Sequence, residues 1–199
     1  YKINETISNK MLATGGATDV YFDLTIKAAD GDGARPIIKI VAKDKIFEVY
    51  DDFTLDGIFV TGADDNGEFK SQLIRSKADA AVPTYTITFN DSHFDTHTTG
   101  IRIDGAITIN VTNSIFSNFF DPDPLAPRSG KIFQDRNGAG LVALNVSNTT
   151  FYNIGGQVFL DGATDVIKET INFNNCSFVN VGQTALQLNQ TKNATVTNC

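Results

Sequence analysis

The sequence predicts an all-β fold, a right-handed parallel β-helix whose coils are about 22–27 residues long. Three observations predict it. A short phrase recurs along the chain, β-branched and aromatic residues alternate around each copy, and no segment sustains a helical period. The phrase begins with an aliphatic or aromatic residue, with Asn two positions later and Phe five positions later. Its clearest copies are Val111–Phe116, Val146–Phe151 and Phe173–Phe178.

Further copies extend the repeat in both directions. Phe89–Phe94 has Asp in place of Asn, Leu55–Val60 is weaker, and Val196–Cys199 begins another copy. The last residues of the copies lie at 60, 94, 116, 151 and 178, so they are 34, 22, 35 and 27 residues apart. Such spacing is typical of a solenoid with occasional insertions. Because the final copy stops in mid-coil, we expect the C-terminal end of the β-helix to be truncated.

Each coil should contain several short strands. Alternating runs such as Ile107–Val111 precede the recurrent Phe, and a second run such as Ile101–Ile103 follows it. Leucine-rich repeats have a similar length, but their regularly spaced Leu residues are missing from this sequence. If coils stack about 4.8 Å apart, the Phe side chains form an interior column. The recurrent Asn then lies at a turn, where it tolerates left-handed backbone and bonds to the Asn of the next coil.

The rest of the chain is assigned around these coils, as one β-helix domain over residues 1–199. Residues 1–50 lack the phrase and should form the first coils with an N-terminal cap, whereas residues 51–199 hold the repeated coils. Two insertions, Ala63–Pro83 and Phe120–Gly130, should project as loops, because the first is polar and the second is rich in Pro.

The two cysteines give a sharper expectation. Cys176 follows Asn175 and Cys199 follows Asn198, so both take the same place in consecutive coils. Their Cα atoms should lie about 4.8 Å apart, inside the window that a disulfide allows. We expect a stacked pair of free thiols, because parallel Cβ vectors are unfavourable for a disulfide. A disulfide remains the alternative for an exported protein.

Composition argues against two classes of partner. The 199-residue chain carries a net charge of −7, with 20% charged and 41% hydrophobic residues, which indicates an ordered acidic protein. Nucleic-acid binding depends on Lys and Arg contacts to phosphate, so an acidic chain is a poor candidate. No apolar run approaches the ~18 residues that a membrane span needs. The sequence does not indicate an oligomeric state.

Two stretches resemble known proteins. "LDGIFVTG" at Leu55–Gly62, followed by repeated "N-[ST]-x-F-x-N" coils, resembles the pectate-lyase superfamily, in particular chondroitinase B and alginate lyase-like proteins. "SGKIFQDRNGAGLVALNVSNTTFYNIGG" at Ser129–Gly156 looks like a β-helix domain family of unknown function from Bacteroidetes polysaccharide loci. The resemblance covers roughly residues 20–199. It implies secretion or display at the cell surface, and contact with polysaccharide.

Carboxylates recur at one place in the coils. About ten residues beyond each recurrent Phe, with allowance for the Pro-rich insertion, lies a polar residue: Asp104, Asp135, Asp161 and Asn189. A stacked row of carboxylates is stable when it is solvated, hydrogen-bonded or bridged by a cation such as Ca²⁺. The resemblance to calcium-dependent pectate lyases implies that Asp104, Asp135 and Asp161 hold this metal. The residues themselves favour a solvated turn ladder without any cofactor, in which Asp accepts backbone N–H bonds.

A catalytic set is incomplete. Elimination from a uronate requires a cation beside the carboxylate, a base for the C5 proton and an acid for the leaving oxygen. Basic candidates lie within or before the second strand of two neighbouring coils: Arg102, Arg128, Lys131 and Arg136. The calcium set of Asn and Glu that chondroitinase-like lyases use is missing, and so is the Gly-His-Gly phrase of polygalacturonases. Enzyme activity is therefore left open, with a polysaccharide lyase as the candidate.

Alternation also brings Asp91, His93, Asp95 and His97 to one face of an extended strand, where they could hold a metal or be solvated.

Three functions remain possible from the sequence. The first is a polysaccharide-binding β-helix whose aromatic residues Tyr152, Phe119 and Phe120 stack on sugar rings. The second is a calcium-assisted lyase acting on uronic-acid glycans, and the third is an adhesin or structural spacer.

Overall fold

The computed structural model describes residues 2–3, 7–8, 18–29, 35–39, 45–63, 72–77, 82–121, 129–136, 140–162 and 168–199. Every strand pairing in this part is parallel, and the strands form three sheets that the chain visits in turn. This arrangement confirms the predicted all-β parallel β-helix.

Among the described residues, sheet A has eight strands and sheets B and C have seven each. Sheet A contains β1 (Lys2–Ile3), β4 (Leu24–Ala28), β7 (Phe53–Asp56), β10 (Tyr85–Asn90), β13 (Ile107–Thr112), β16 (Leu141–Ser147), β19 (Lys168–Asn174) and β22 (Thr191–Thr197). Sheet B contains β2 (Ile7–Ser8), β5 (Ile37–Lys39), β8 (Phe59–Thr61), β11 (His93–Asp95), β14 (Ile115–Phe119), β17 (Thr150–Ile154) and β20 (Ser177–Val181). Sheet C contains β3 (Thr18–Val20), β6 (Lys45–Val49), β9 (Gln72–Lys77), β12 (Thr99–Asp104), β15 (Lys131–Asp135), β18 (Phe159–Asp161) and β21 (Leu186–Gln187).

Each coil runs from sheet A through sheet B to sheet C. The described strands of residues 1–50 belong to the first two coils, β1–β3 and β4–β6. The predicted loop over Ala63–Pro83 was wrong in part, because Gln72–Lys77 forms β9 between β6 and β12. Its Leu73 and Ile74 are buried, and the polar residues around them conceal this short apolar run in the sequence. Most of the Pro-rich insertion, residues 122–128, lies outside the described residues.

The recurrent Phe residues form the predicted interior column. Phe94 pairs with Phe116, Phe116 with Phe151, and Phe151 with Phe178. Successive rings are stacked, with centroids 4.8, 5.4 and 5.3 Å apart. The first three side chains are fully buried and Phe178 is partly buried. The weaker copy is also correct, because Val60 pairs with Phe94 at the start of the column.

The recurrent Asn residues lie at the corner between sheets A and B. Asn113, Asn148, Asn175 and Asn198 have φ values of 53°, 50°, 54° and 54°, the left-handed region that Asn tolerates better than most residues. Asn175 Nδ2 donates to Asn148 Oδ1 over 2.7 Å. The phrase therefore recurs because each coil needs the same backbone bend at the same place.

Two further Asn columns accompany this corner. Asn118, Asn153 and Asn180 also have positive φ, and their side-chain amides bond in sequence over 2.7 Å at each step. Asn110, Asn145 and Asn172 lie within the strands of sheet A and bond over 3.0 Å at each step. Each ladder satisfies side-chain amide groups between neighbouring coils and so reinforces the same coil alignment.

The cysteines occupy the predicted positions. Asn174 pairs with Thr197, which sets Cys176 opposite Cys199 two residues later. Both are free thiols, and the backbone N–H of Cys176 donates to Cys199 Sγ over 3.3 Å. Burial raises the pKa of Cys176 above its ordinary value.

The Phe column should dominate stability. Phe116→Ala removes a fully buried ring that contacts both neighbouring rings, so we expect a loss of about 3–5 kcal/mol in the free energy of unfolding. Phe22→Ala is the control, because Phe22 is 58% exposed. Urea denaturation followed by circular dichroism measures both. Equal losses in the two variants would contradict the interior assignment.

The corner Asn residues predict a different pattern. Asn148→Ala places alanine, which has a Cβ atom but no amide, at a φ near 50° and removes one step of the amide ladder. It should therefore lower the free energy of unfolding by about 1–3 kcal/mol. Asn148→Gly keeps the backbone conformation and loses only the ladder. The midpoint of thermal unfolding should therefore be higher for the Gly variant than for the Ala variant. The reverse order would argue against a left-handed corner.

Candidate functional site

A band of charged side chains covers the outer face of sheet C. Alternation along each strand places residues such as Ser76 and Ile103 inside and Arg75 and Arg102 outside. The charged band is defined as Asp19, Lys45, Glu48, Arg75, Lys77, Arg102, Asp104, Lys131 and Arg136. It holds six basic and three acidic residues, whereas the whole chain has a net charge of −7. This face is therefore cationic on an acidic protein.

Ion pairs hold the middle of the charged band in place. Asp104 Oδ2 lies 2.6 Å from Arg75 Nε and 3.2 Å from Arg102 Nε, so one carboxylate is shared by two guanidinium groups. Each guanidinium has five N–H donors, and a carboxylate shared by two guanidinium groups cannot accept from all of them. Donors therefore remain on Arg75 and Arg102, whose side chains are 27% and 19% exposed.

Glu48 lies between two lysines at the N-terminal side of the charged band. It contacts Lys45, and its Oε1 lies 3.0 Å from Lys77 Nζ. Burial by itself raises the pKa of Glu48, but the hydrogen bonds and charges of the two lysines outweigh it, so the pKa lies below its ordinary value. Glu48 thus stays ionised and orients both ammonium groups.

Lys131 is the first residue of β15, and Arg136 directly follows its last residue. Lys131 Nζ donates to the backbone carbonyl of Ser129 over 2.8 Å. Burial lowers the pKa of Lys131, and the positive charge of Arg136 lowers it further, against an opposing effect of Asp121. A lysine with a lowered pKa has a larger fraction of neutral amine near neutral pH, and only the neutral amine can act as a general base. Arg102, Lys131 and Arg136 thus share the outer side of sheet C, whereas Arg128 lies outside the described residues.

An exposed aromatic pair lies at the N-terminal end of the charged band. Val20 pairs with Val49, so the next residues, Tyr21 and Tyr50, also fall in one column. Their rings are stacked, with centroids 4.3 Å apart and an interplanar angle of 23°. Tyr21 is 59% exposed. The hydrogen bond between Tyr50 and Tyr21, followed by burial and the charge of Glu48, raises the pKa of Tyr50 well above its ordinary value.

Sequence reasoning missed this pair because it lies before the first copy of the phrase. The available signal was a Tyr directly after an aliphatic residue at the end of two strands of sheet C.

The aromatic residues predicted to bind glycan are separated by the structure. Phe119 was wrong as a surface residue, because it is fully buried and packs on His97 and Phe116. The positive φ of Asn118, 58°, breaks the strand alternation and turns Phe119 inward. Phe120 is half-buried. Tyr152 is 49% exposed, but it lies beside Val179 on the outer face of sheet B, whereas the charged band lies on sheet C.

The predicted carboxylate row does not form as proposed. Asp135 pairs with Asp161, but its partner in the preceding coil is Ile103, and Asp104 lies one residue later on the outer face. The turn from sheet B to sheet C is one residue longer after Phe151 than after Phe94, which defeats a fixed step of ten residues. Asp135 and Asp161 are buried with Lys168. Among the described residues, no group of three or more His, Cys, Asp or Glu could hold a metal ion.

The four alternating Asp and His residues also diverge. Thr96 has a φ of 62°, so His97 turns inward and is fully buried, while His93 and Asp95 stay on the outer face of sheet B. His93 Nε2 lies 2.8 Å from Ser117 Oγ, and Ser117 donates to Asp95. Burial lowers the pKa of His93, and Arg35 lowers it further, although Asp95 opposes the shift.

Comparison with known proteins gives the fold. No family model matches the chain, and no curated protein matches it. Among solved structures, the chain is similar to a mutant of AlyGC, an alginate lyase of the PL6 family, with a TM-score of 0.53 and 16% sequence identity. The similarity covers 92% of this chain and 29% of the lyase, so the chain spans less than a third of that protein's length. It supports the parallel β-helix fold predicted from the sequence.

Over the ranges that the structure describes, no helix is long and apolar enough to span a membrane.

His93 predicts a pH dependence of stability. Its pKa in the folded protein is below the ordinary 6.5, so between these two values the folded protein binds fewer protons than the unfolded chain. The free energy of unfolding should therefore fall as the pH drops through this window. His93→Gln should reduce the change in denaturant midpoint between about pH 7 and about pH 5.

Thr150→Gln is the control, because Thr150 lies in the same column of sheet B and leaves His93 intact. An unchanged pH dependence in His93→Gln would show that another group controls it.

Proposed function

We propose that the protein is an extracellular or cell-surface β-helix that binds an acidic polysaccharide along the charged band of sheet C. The observation that supports this proposal is the combination of a cationic face with an exposed, stacked tyrosine pair on one sheet of an acidic chain. Tyrosine rings offer flat apolar surfaces to sugar rings. Guanidinium groups bind carboxylates through paired hydrogen bonds.

The geometry of the coils suits an extended polymer. Strands of a sheet are about 4.8 Å apart, so basic side chains in successive coils recur at regular intervals along the β-helix axis. Arg75 and Arg102 are neighbours of this kind. A polyuronate also presents its carboxylates at regular intervals. The similar solved structure belongs to an alginate lyase, and alginate is a polyuronate, so this class of glycan is the first to test.

A comparison of acidic and neutral glycans, together with neutralisation of two arginines, tests the proposal. Wild-type protein should bind alginate more tightly than a neutral glucan in titration calorimetry, and the affinity should fall as salt screens the charges. Arg75→Gln with Arg102→Gln should weaken alginate binding by roughly tenfold or more, about 1.4 kcal/mol. Arg35→Gln is the matched control, because Arg35 is an exposed, ion-paired arginine outside the charged band.

Two aromatic variants locate the sugar-stacking surface. Tyr21→Ala should weaken binding, because it removes half of the exposed stacked pair. Tyr152→Ala on sheet B should have little effect. If Tyr152→Ala is the damaging variant and Tyr21→Ala is neutral, the glycan lies on sheet B. Equal affinity of wild-type protein for acidic and neutral glycans would exclude the charged band as the site.

A polysaccharide lyase is the second candidate, favoured by Lys131. Its lowered pKa and the nearby Arg136 suit a base beside a group that neutralises a uronate carboxylate. Cleavage by elimination would release unsaturated products that absorb in the far ultraviolet. Lys131→Met should then abolish product formation and retain binding, and a chelator would reveal any need for Ca²⁺. Binding without product identifies a non-catalytic module, and no binding at all favours an adhesin or spacer.

A further inference from the structure

A lysine and two aspartates lie together in the interior of the coil, whereas the charged band lies on the outer face of sheet C. Lys168, Asp135 and Asp161 are all 0% exposed. Lys168 Nζ lies 2.6 Å from Asp161 Oδ1 and 3.5 Å from Asp135 Oδ2. Burying ionic groups is costly, and apolar residues of similar size often stabilise a core at least as well. The cluster therefore calls for a chemical explanation as well as a structural one.

In the preceding coils, the neighbours of the cluster are apolar. Ala143 pairs with Thr170, which sets Lys168 opposite Leu141, and Leu141 pairs with Ile107 in the same interior column. Asp135 and Asp161 continue an interior column of sheet C that contains Ile103. The lysine at the start of β19 and the two aspartates at the ends of β15 and β18 thus meet at the corner between sheets C and A, with no exposed surface on any of them.

The second oxygen of Asp161 is held by backbone donors. The N–H groups of Asn189 and Gln190 donate to Oδ2 over 3.0 and 2.8 Å. Asn189 Nδ2 also donates to the backbone carbonyl of Asp161 over 2.6 Å, which fixes the residue further. Two preorganised N–H groups on one oxygen resemble the donors that stabilise a tetrahedral oxyanion during acyl transfer.

We propose that Lys168 and Asp161 condense to an intramolecular isopeptide bond, with Asp135 carrying a proton between them. The cluster supplies a nucleophile, an acyl carbon, two oxyanion donors and a second carboxylate within reach of the nucleophile. This proposal concerns the interior of the coil and does not depend on glycan binding.

The reaction balances without any further reagent. One ammonium proton of Lys168 passes to Oδ1 of Asp161, and the free amine attacks the side-chain carbonyl carbon. The negative charge that forms on Oδ2 is held by the two N–H groups of Asn189 and Gln190. Asp135 takes a second proton from Nζ and delivers it to Oδ1, which leaves as water. Oδ2 becomes the carbonyl oxygen of the new amide, and Asp135 returns to its carboxylate form.

Mass spectrometry of the purified folded chain tests the proposal. The intact mass should be lower than the sequence mass by one water molecule. Trypsin should fail to cleave after Lys168, because its amine is acylated, and should release a single peptide from Asn137 to Lys192 that lacks one water. Cleavage at Asp165 should then leave two segments joined by the cross-link.

Asp161 precedes Gly162, and such a pair can also lose water by forming a succinimide, so this alternative needs its own control. A succinimide leaves Lys168 open to trypsin and is destroyed by hydroxylamine, whereas an isopeptide bond blocks trypsin and resists hydroxylamine.

Two variants separate the roles. Lys168→Arg keeps a cation but cannot form the amide, so the water loss should disappear. Asp135→Asn removes the proton carrier and should leave most of the chain at the sequence mass. Asp91→Asn, at an exposed corner whose positive φ Asn tolerates, should retain the water loss. The proposal is overturned if wild-type protein has the full sequence mass and is cleaved after Lys168, or if the water loss survives in Lys168→Arg. The wild-type measurement decides the question even if a variant fails to fold.

Discussion

Parallel hydrogen bonding between successive coils is the constraint on which the rest of this structure depends. Because each strand pairs with the equivalent strand of the next coil, residues at equivalent positions form columns, and neighbours within a column lie about 4.8 Å apart. An interior column must be apolar, as for Phe116 and Phe151, or fully paired within itself. A corner column must tolerate the bend, as Asn148 does. An outer column is free to carry charge or exposed rings, as in the stacked pair of Tyr21 and Tyr50.

The fold could be predicted from the sequence because the recurrent phrase spans a corner that does not change in length. Within it, Asn and Phe keep their spacing, so the pairing of Phe116 with Phe151 followed directly from counting. Counting failed across the turn from sheet B to sheet C, whose length varies between coils. That variation put Asp104 out of line with Asp135. The prediction that Phe119 lies on the surface failed for a related reason, because a positive φ at Asn118 reverses the alternation of inner and outer side chains.

The candidate site was predictable only in part. Arg102 and Lys131 were found because basic residues stand out in an acidic sequence, but the sequence did not show that Asp104 and Glu48 partly neutralise their neighbours. The carboxylates are the more buried partners of these pairs, since Asp104 is 8% and Glu48 is 11% exposed, whereas Arg75 is 27% exposed. A bound polyanion therefore uses the guanidinium donors that Asp104 leaves over and does not replace Asp104, because an unpaired buried carboxylate is costly. Lys168 differs, because it is fully buried beside Asp161 and Asp135, where no ligand from solvent can reach it.

The alignment of coils is the central claim, and the Phe column tests it most directly. Selective labelling of phenylalanine rings allows nuclear Overhauser effects to be measured between residues far apart in the sequence. The account predicts strong contacts from the ring of Phe116 to the rings of Phe94 and Phe151, which are 22 and 35 residues away in the chain. Ring contacts confined to near neighbours in the sequence, or linking Phe116 to a ring outside this column in place of these two, would contradict it.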